Sequence, residues 1–184
     1  LGDAFDDYVG CDVNLGLGFC YNGDPDDGSG TLEGYGLNPP AVGADFFQGP
    51  LADANDGIDN DRDGVVDEPG EQIIMSHFFS YGSDFSVYGN PEVADDYYQY
   101  LTGTWLNGAR WTRDGLSGQT PPSPSTPPTN YLFPGTTDPA FPGSNWTEAT
   151  ANNTPFDRRF LQSAGAFTLQ PGAVNYITTG MVWA

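Results

Sequence analysis

Residues Gln72–Tyr88 read QIIMSHFFSYGSDFSVY and are dense in aromatic and β-branched residues. Residues of these types favour strands, and Gly and Pro residues bound the run on both sides. We therefore predict one or two partly buried strands here that belong to the core. His77 lies inside this apolar run, and we interpret it as a packed strand residue and not as a catalytic base.

Beyond this run the sequence predicts a mainly β, loop-rich fold with one short helix. The helix is expected at residues 91–102, where Asn90 supplies an N-cap and Pro91 suits the first helical position. Its apolar positions recur every four residues and are Val93, Tyr97 and Leu101.

The second half of the chain contains a Pro-rich segment and a terminal hairpin pattern. Residues 120–143 hold eight prolines, which lack the backbone donor that regular structure needs. We predict a Pro-rich surface strap there, held down by its apolar residues Tyr131, Leu132, Phe133 and Phe141. Farther on, Phe167–Leu169 and Val174–Trp183 are predicted to pair as a hairpin.

The chain of 184 residues carries a formal charge of -20. We expect residues 1–184 to form a single domain or module, as a segment of a longer polypeptide. Residues 1–71 hold 17 acidic residues and one Arg, whereas residues 72–184 form the aromatic, β-rich part. This charge excludes nucleic acid and anionic membrane surfaces as partners, because both require a basic patch. The sequence contains no run of about 18 apolar residues, so we do not expect it to insert into a membrane.

The only two cysteines are Cys11 and Cys20, spaced to suit the two arms of a hairpin. We predict a disulfide between them, which would place the protein outside a reducing compartment. Two buried free thiols are the alternative.

Residues 53–68 carry a pattern typical of calcium-binding loops. Asp59, Asp61 and Asp63 alternate, Gly64 follows, and Asp67 lies four residues beyond Asp63. Calcium takes about six to eight oxygen ligands at roughly 2.3–2.6 Å, so several carboxylates must converge on one point. The predicted ligands are the carboxylates of Asp56, Asp59, Asp61, Asp63, Asp67 and Glu68 and the backbone carbonyl of Val65.

This loop departs from an EF-hand, which would have a bidentate Glu at its twelfth position, where this chain has Gly70. The alternative interpretation of the pattern is a solvated acidic loop. A second acidic loop, Asp24–Asp27, lacks the alternating register and fits a turn as well as it fits a metal site.

The calcium segment DGIDNDRDGVVDE, residues 56–68, resembles the D-G-x-D-N-D-x-D-G-x-x-D-E motif of large secreted bacterial proteins. The segments YVGCDVNLGLGFCYNGD, PPAVGADFFQGPL and DRRFLQSAGAFTLQPGAVNYITTGMVWA are similar to long surface or extracellular proteins of Bacteroidota that are exported by type IX secretion. The resemblance implies an extracellular or cell-surface location and a modular context. By motif position it also implies a calcium role for Asp59, Asp61, Asp63 and Asp67, and for Asp56 and Glu68.

We therefore predict a calcium-stabilised structural or adhesive module of a large extracellular or cell-surface protein, without enzyme activity. Its partners would be the rest of the parent polypeptide or neighbouring subunits, for example in a filament. The alternative function is a carbohydrate-active enzyme domain or a carbohydrate-binding accessory module, with glycans as ligands.

Overall fold

The computed structural model describes residues 2–28 and 34–184, and it confirms that this part of the chain is mainly β with one helix. The strands pair antiparallel in three sheets. In chain order they are β1 (Asp7–Asp12), β2 (Leu17–Asn22), β3 (Asp26–Asp27), β4 (Gly36–Leu37), β5 (Val42–Gln48), β6 (His77–Tyr81), β7 (Arg159–Ser163) and β8 (Thr178–Trp183), and helix α1 (Ala94–Leu101) lies between β6 and β7.

The largest sheet contains β1, β2, β5 and β8 in that order. On its core-facing side, Val9, Cys20, Val42 and Trp183 lie in register across the four strands. Burial falls along this row, since Val9 and Cys20 are buried, Val42 is half-buried and Trp183 is exposed. The core therefore covers the β1 side of the sheet and leaves the β8 side open.

Four buried rings form the aromatic centre of the core: Phe79, Tyr100, Trp105 and Trp111. The Phe79 ring centroid lies 4.3 Å from that of Tyr100 and 4.7 Å from that of Trp111. Such ring pairs contribute about 0.5–1.5 kcal/mol beyond the area they bury. The core prediction for Gln72–Tyr88 is confirmed in its first part, where β6 supplies Phe79. It is wrong for residues 83–87, which are exposed and not in a strand.

Helix α1 confirms the predicted helix but is shorter than residues 91–102, because it begins after Val93. The Asp96 carboxylate accepts the Val93 backbone N–H at 3.2 Å and closes the first turn there. The predicted apolar stripe is wrong, since its three residues are exposed. Tyr100 is buried in their place because its ring packs on Phe79.

The Pro-rich segment is exposed at residues 120–125 and mostly exposed at residues 139–143. Between these stretches Tyr131, Leu132 and Phe133 are buried in the core, so its apolar residues hold the segment down as predicted. The Leu132 N–H donates to the Phe78 carbonyl at 2.9 Å, so this segment continues the sheet formed by β6 and β7.

The predicted terminal hairpin does not form. Residues 167–169 are not in a strand, and β8 pairs instead with β5, from Val42 with Trp183 to Gln48 with Thr178. The open edge of β5 offers β8 a longer ladder than the three predicted residues could provide.

Cys11 and Cys20 are free, buried thiols, so the predicted disulfide is not formed. The strand register places Cys11 opposite Gly18 and Cys20 opposite Val9. The two cysteines are therefore diagonal neighbours, roughly 7–8 Å apart in such a pair, which is too far for a disulfide. Burial raises the pKa of the Cys20 thiol to about 12, so it stays protonated at neutral pH.

Candidate metal centre

Residues 53–71, which we call the acidic loop, form an irregular segment whose ends are joined. Just outside it, the backbone of Leu51 bridges that of Gln72. The Asp53 carboxylate accepts the hydroxyl and the backbone N–H of Thr168 at 2.7 and 2.8 Å, and these bonds lower the pKa of Asp53. The loop is thus closed at its base and tied to a distant part of the chain.

Arg62, the only basic residue of the acidic loop, points away from the carboxylates and into the core. Its guanidinium donates to the backbone carbonyls of Val13 and Met75 at 3.2 and 2.7 Å and also bonds the Tyr131 hydroxyl. The guanidinium carbon lies 5.6 Å from the centroid of the Tyr131 ring. Arg62 therefore anchors the loop to the core and does not neutralise its aspartates.

The alternating aspartates fold the loop by accepting backbone N–H groups. Asp59 Oδ2 accepts the N–H of Gly64 at 3.0 Å, Asp61 Oδ1 that of Asp63 at 3.1 Å, and Asp63 Oδ1 that of Val65 at 2.8 Å. Gly64 has a φ of 97°, which would strain a residue with a side chain. These bonds and the positive φ of Gly64 define the turns of the loop.

Two groups of carboxylates converge in the acidic loop. Subsite 1 contains Asp59, Asp61 and Glu71, and subsite 2 contains Asp61, Asp63 and Glu68. Within each group, one oxygen of every residue lies within 4.8 Å of the others. The subsites share Asp61, so the loop could hold two cations close together.

Each subsite contains a buried oxygen that accepts no hydrogen bond within the described part of the chain: Asp59 Oδ1 in subsite 1 and Glu68 Oε2 in subsite 2. Leaving such an acceptor unsatisfied costs about 1–3 kcal/mol. A hydrogen bond within Glu68 lowers the pKa of its carboxyl, but desolvation and the charges of Glu71, Asp61 and Asp63 outweigh it and raise the pKa. A cation bound among these carboxylates would offset the repulsion.

The arginines do not balance the acidic loop. Within the described residues, the ion pairs join Arg113 to Asp138, Arg158 to Glu148 and Arg159 to Asp157. These acids all lie outside residues 53–71, which contain eight acidic residues. The charge of the loop is therefore left for solvent or metal ions to balance.

Four of the predicted ligands are brought together: Asp59, Asp61, Asp63 and Glu68. Asp56 and Asp67 belong to neither subsite. Asp56 accepts the N–H of Ile58 at 2.8 Å, and Asp67 accepts that of Gly57 at 3.2 Å. Both stay predictions as ligands. The Val65 carbonyl also stays a prediction, because the subsites are defined by carboxylate oxygens.

Glu71 is a candidate ligand that the sequence analysis missed. It lies one residue past Gly70, the twelfth position of the motif, and it is buried. The Asn60 backbone N–H donates to its carboxylate, which holds the side chain against the loop. The signal for Glu71 was present in the sequence, since it is the next acidic residue after the expected position.

The second acidic loop forms a bend at Asp24 that leads into β3. The Asp24 carboxylate accepts the Asp26 N–H at 2.8 Å, and that of Asp27 accepts the N–H groups of Asp3 and Tyr35 at 2.8 and 2.9 Å. Within the described ranges, Asp24–Asp27 contribute to neither group of carboxylates that could hold a metal.

His77 lies in β6, and three tryptophans lie in the core. Burial and the charge of Arg110 lower the pKa of His77 to about 4, so its ring is neutral at neutral pH. Three of the four tryptophans, which could have stacked on sugars, are buried: Trp105, Trp111 and Trp146.

Comparisons with protein-family models, with curated proteins and with solved structures gave no match for this chain. In the residues that the structure describes, no helix is both long and apolar enough to cross a membrane.

Proposed function

We propose that this chain is a calcium-stabilised structural or adhesive module of an extracellular or cell-surface protein. The observation that carries the proposal is that two sets of three acidic residues converge and share Asp61. No arginine of the described chain forms an ion pair with them. The motif resemblance to secreted proteins of Bacteroidota supports the location. Neighbouring modules or subunits would be its partners.

Calcium fits this loop better than other common cations. The ligands offered are carboxylate oxygens on an irregular loop, and calcium tolerates flexible geometry with about six to eight such oxygens. Magnesium demands a nearly ideal octahedron and gives up water reluctantly, which suits a dedicated protein cage less well. Zinc favours nitrogen and sulfur ligands, which the two subsites do not offer.

Bound calcium would stabilise the fold by linking the base of the acidic loop to its middle. Glu71 lies at the base of the loop and Asp59 in its middle, so a cation in subsite 1 would fix their separation. With a Kd of about 0.1 mM and about 1 mM calcium, binding adds about 1.4 kcal/mol to the free energy of unfolding, and a micromolar Kd adds about 4 kcal/mol.

The carbohydrate alternative has less support. Three tryptophans that could stack on a sugar are buried, and Glu148 is occupied as an acceptor for the Val9 N–H and for Arg158 Nε, both at 3.0 Å. We therefore propose the calcium module alone.

The test is calcium titration by calorimetry, with thermal unfolding in EGTA and in about 1 mM calcium. We expect two calcium ions per chain and a higher Tm in calcium. Asp61→Asn should weaken both binding events at least ten-fold, and Glu71→Gln should weaken one of them. An unchanged Tm in EGTA, together with no binding heat, would overturn the proposal.

Asp95→Asn is the matched control for Asp61→Asn. Asp95 is an exposed acid in the first turn of α1, remote in sequence from the acidic loop. This variant changes the net charge by the same amount, so its calcium affinity should stay within about two-fold of the unmodified chain. If it weakened binding as much as Asp61→Asn, general electrostatic attraction would explain the calcium effect.

A further inference from the structure

The two edges of the four-stranded sheet differ in how their backbone groups are satisfied. Along β1, the Val9 N–H donates to Glu148 at 3.0 Å and the Cys11 N–H to the Phe133 carbonyl at 3.3 Å. The Phe156 N–H donates to the Asp7 carbonyl at 3.1 Å. Loops therefore cover the edge formed by β1.

Along the edge formed by β8, no described residue bonds the outward-pointing backbone groups, although the Tyr35 ring contacts that of Trp183 with 5.9 Å between centroids. Ala41 and Ala184 exchange two backbone hydrogen bonds, of 2.8 and 3.0 Å, and so form a hydrogen-bonded pair. In an antiparallel ladder such pairs recur at every second residue, and the residues between them point their backbone groups away from the neighbouring strand. Val182 and Gly180 then point their backbone groups toward β5. The N–H and C=O groups of the alternate residues, Thr179, Met181 and Trp183, point outward, and no described residue bonds them.

The side chains at this edge are apolar on both faces. On the core-facing side, Met181 and Trp183 are 74% and 60% exposed. On the opposite side, the Phe47 ring lies over Gly180, so close that a Cβ on Gly180 would be 2.2 Å from it. Strand β8 contains no charged residue and no proline, the usual devices that keep an open edge from pairing.

The negative charge around the β8 edge indicates that a partner segment carries positive charge. Asp45 pairs with Gly180 in the ladder and shares its face with Phe47, and it forms no ion pair with the described residues. A basic side chain opposite Gly180 would lie against the Phe47 ring with the Asp45 carboxylate beyond it. A second copy of the chain would instead bring a further charge of -20.

We propose that β8 binds an extended peptide segment of a partner protein, which adds a fifth strand to the sheet. The segment would alternate apolar side chains, packed on Met181 and Trp183, with basic side chains on the Phe47 face. This inference goes beyond the calcium module and does not depend on calcium.

The test uses a capped peptide that alternates Val and Lys, titrated into the full chain in the presence of calcium. A Val/Glu peptide of the same length is the control for charge. We expect the Val/Lys peptide to bind at least ten-fold more tightly. Equal affinity for the two peptides would overturn the proposed partner chemistry.

Met181→Pro separates strand addition from general attraction to a negative protein. Because the Met181 N–H points outward, proline removes a donor to the peptide but no bond to β5, and it leaves the charge unchanged. We expect it to weaken the Val/Lys peptide at least ten-fold, whereas Met181→Ala, which keeps the N–H, should weaken it less. Unchanged binding by Met181→Pro would overturn the proposal.

Amide hydrogen exchange in the unmodified chain keeps the test independent of how the variants fold. The peptide should slow exchange at Thr179, Met181 and Trp183 at least ten-fold, while Gly180 and Val182, already bonded to β5, change little. If the peptide slowed exchange elsewhere but not in β8, the proposal that it binds to β8 would be wrong. A dimer that forms through β8 and excludes the peptide would overturn the choice of occupant.

Discussion

The aromatic centre and the acidic loop are stabilised in opposite ways. The centre is built from rings in contact, and the fully buried Trp111 packs against Phe79 and Trp105. The loop contains eight acids in residues 53–71 and buries carboxylate oxygens that have no donor among the described residues. Apolar burial stabilises the centre without any ligand, whereas the carboxylates of the loop repel one another unless solvent or a cation balances their charge.

Arg62 joins the two regions. Its backbone belongs to the acidic loop, with a φ of 61°, and its guanidinium reaches the core-side carbonyls of Val13 and Met75. Burial raises the pKa of Tyr131 to about 12, so the hydroxyl beside Arg62 stays protonated and donates to the Met75 carbonyl at 3.0 Å. A cation bound in the loop would thus act on a segment already attached to the core.

The largest effect should come from the aromatic centre. Trp111→Ala removes a fully buried ring that contacts Phe79 and Trp105, and we expect it to lower the free energy of unfolding by about 3–5 kcal/mol. Urea unfolding in saturating calcium measures it. Trp183→Ala is the control, because that ring is exposed, and it should cost about 0.5 kcal/mol or less. Equal losses in the two variants would show that the centre does not dominate stability.

The second largest loss of stability should follow removal of the Arg62 contacts, which link the acidic loop to the core. Arg62→Met keeps an apolar stem but removes the bonds to the Val13 and Met75 carbonyls, and we expect a loss of about 2–3 kcal/mol in urea unfolding. Arg159→Met is the control, since Arg159 is partly exposed and pairs with Asp157 at the surface, where ion pairs contribute about 0–1 kcal/mol. If the two variants lost the same amount, Arg62 would not anchor the loop.

The difference between the regions also explains what the sequence could predict. Local patterns were sufficient for the strand β6 and for the proximity of Asp61 to Asp59 and to Asp63, because strand composition and alternate spacing act over a few residues. Glu71 was missed because its place depends on the bridge between the two ends of the loop. Tyr100 was missed because tertiary packing on Phe79 decides which side of the helix is buried.

The same limit applies to the strand pairings. The pairing of β8 with β5 joins residues more than a hundred positions apart, and no turn signal encodes it. The failure of the disulfide is also a question of register, since a shift of the β1–β2 ladder would change which residue faces each cysteine. Spacing in the sequence predicted that the cysteines lie on paired strands but not that they are diagonal neighbours.

The smallest expected effect is the pH response of the aromatic centre through His77, the only histidine of the chain. Its ring packs edge-on against Trp111, at 6.0 Å between centroids, and burial together with Arg110 lowers its pKa from 6.5 to about 4. The unfolded chain therefore binds a proton near pH 6.5 that the folded chain does not bind until about pH 4. Stability from this group is complete above pH 6.5 and is lost as the pH falls toward 4.

Through His77, the free energy of unfolding should be about 1 kcal/mol lower at pH 5.5 than at pH 7.5. Desolvation raises the pKa of the buried Glu148, so its contribution has the opposite sign, present at low pH and lost as the pH rises. His77→Phe isolates the histidine because it keeps a ring beside Trp111 and cannot titrate. We expect the difference in unfolding free energy between the two chains to vary with pH by that amount, measured by urea unfolding. A difference that stayed constant from pH 7.5 to 5.5 would mean that His77 titrates normally and that water reaches the aromatic centre.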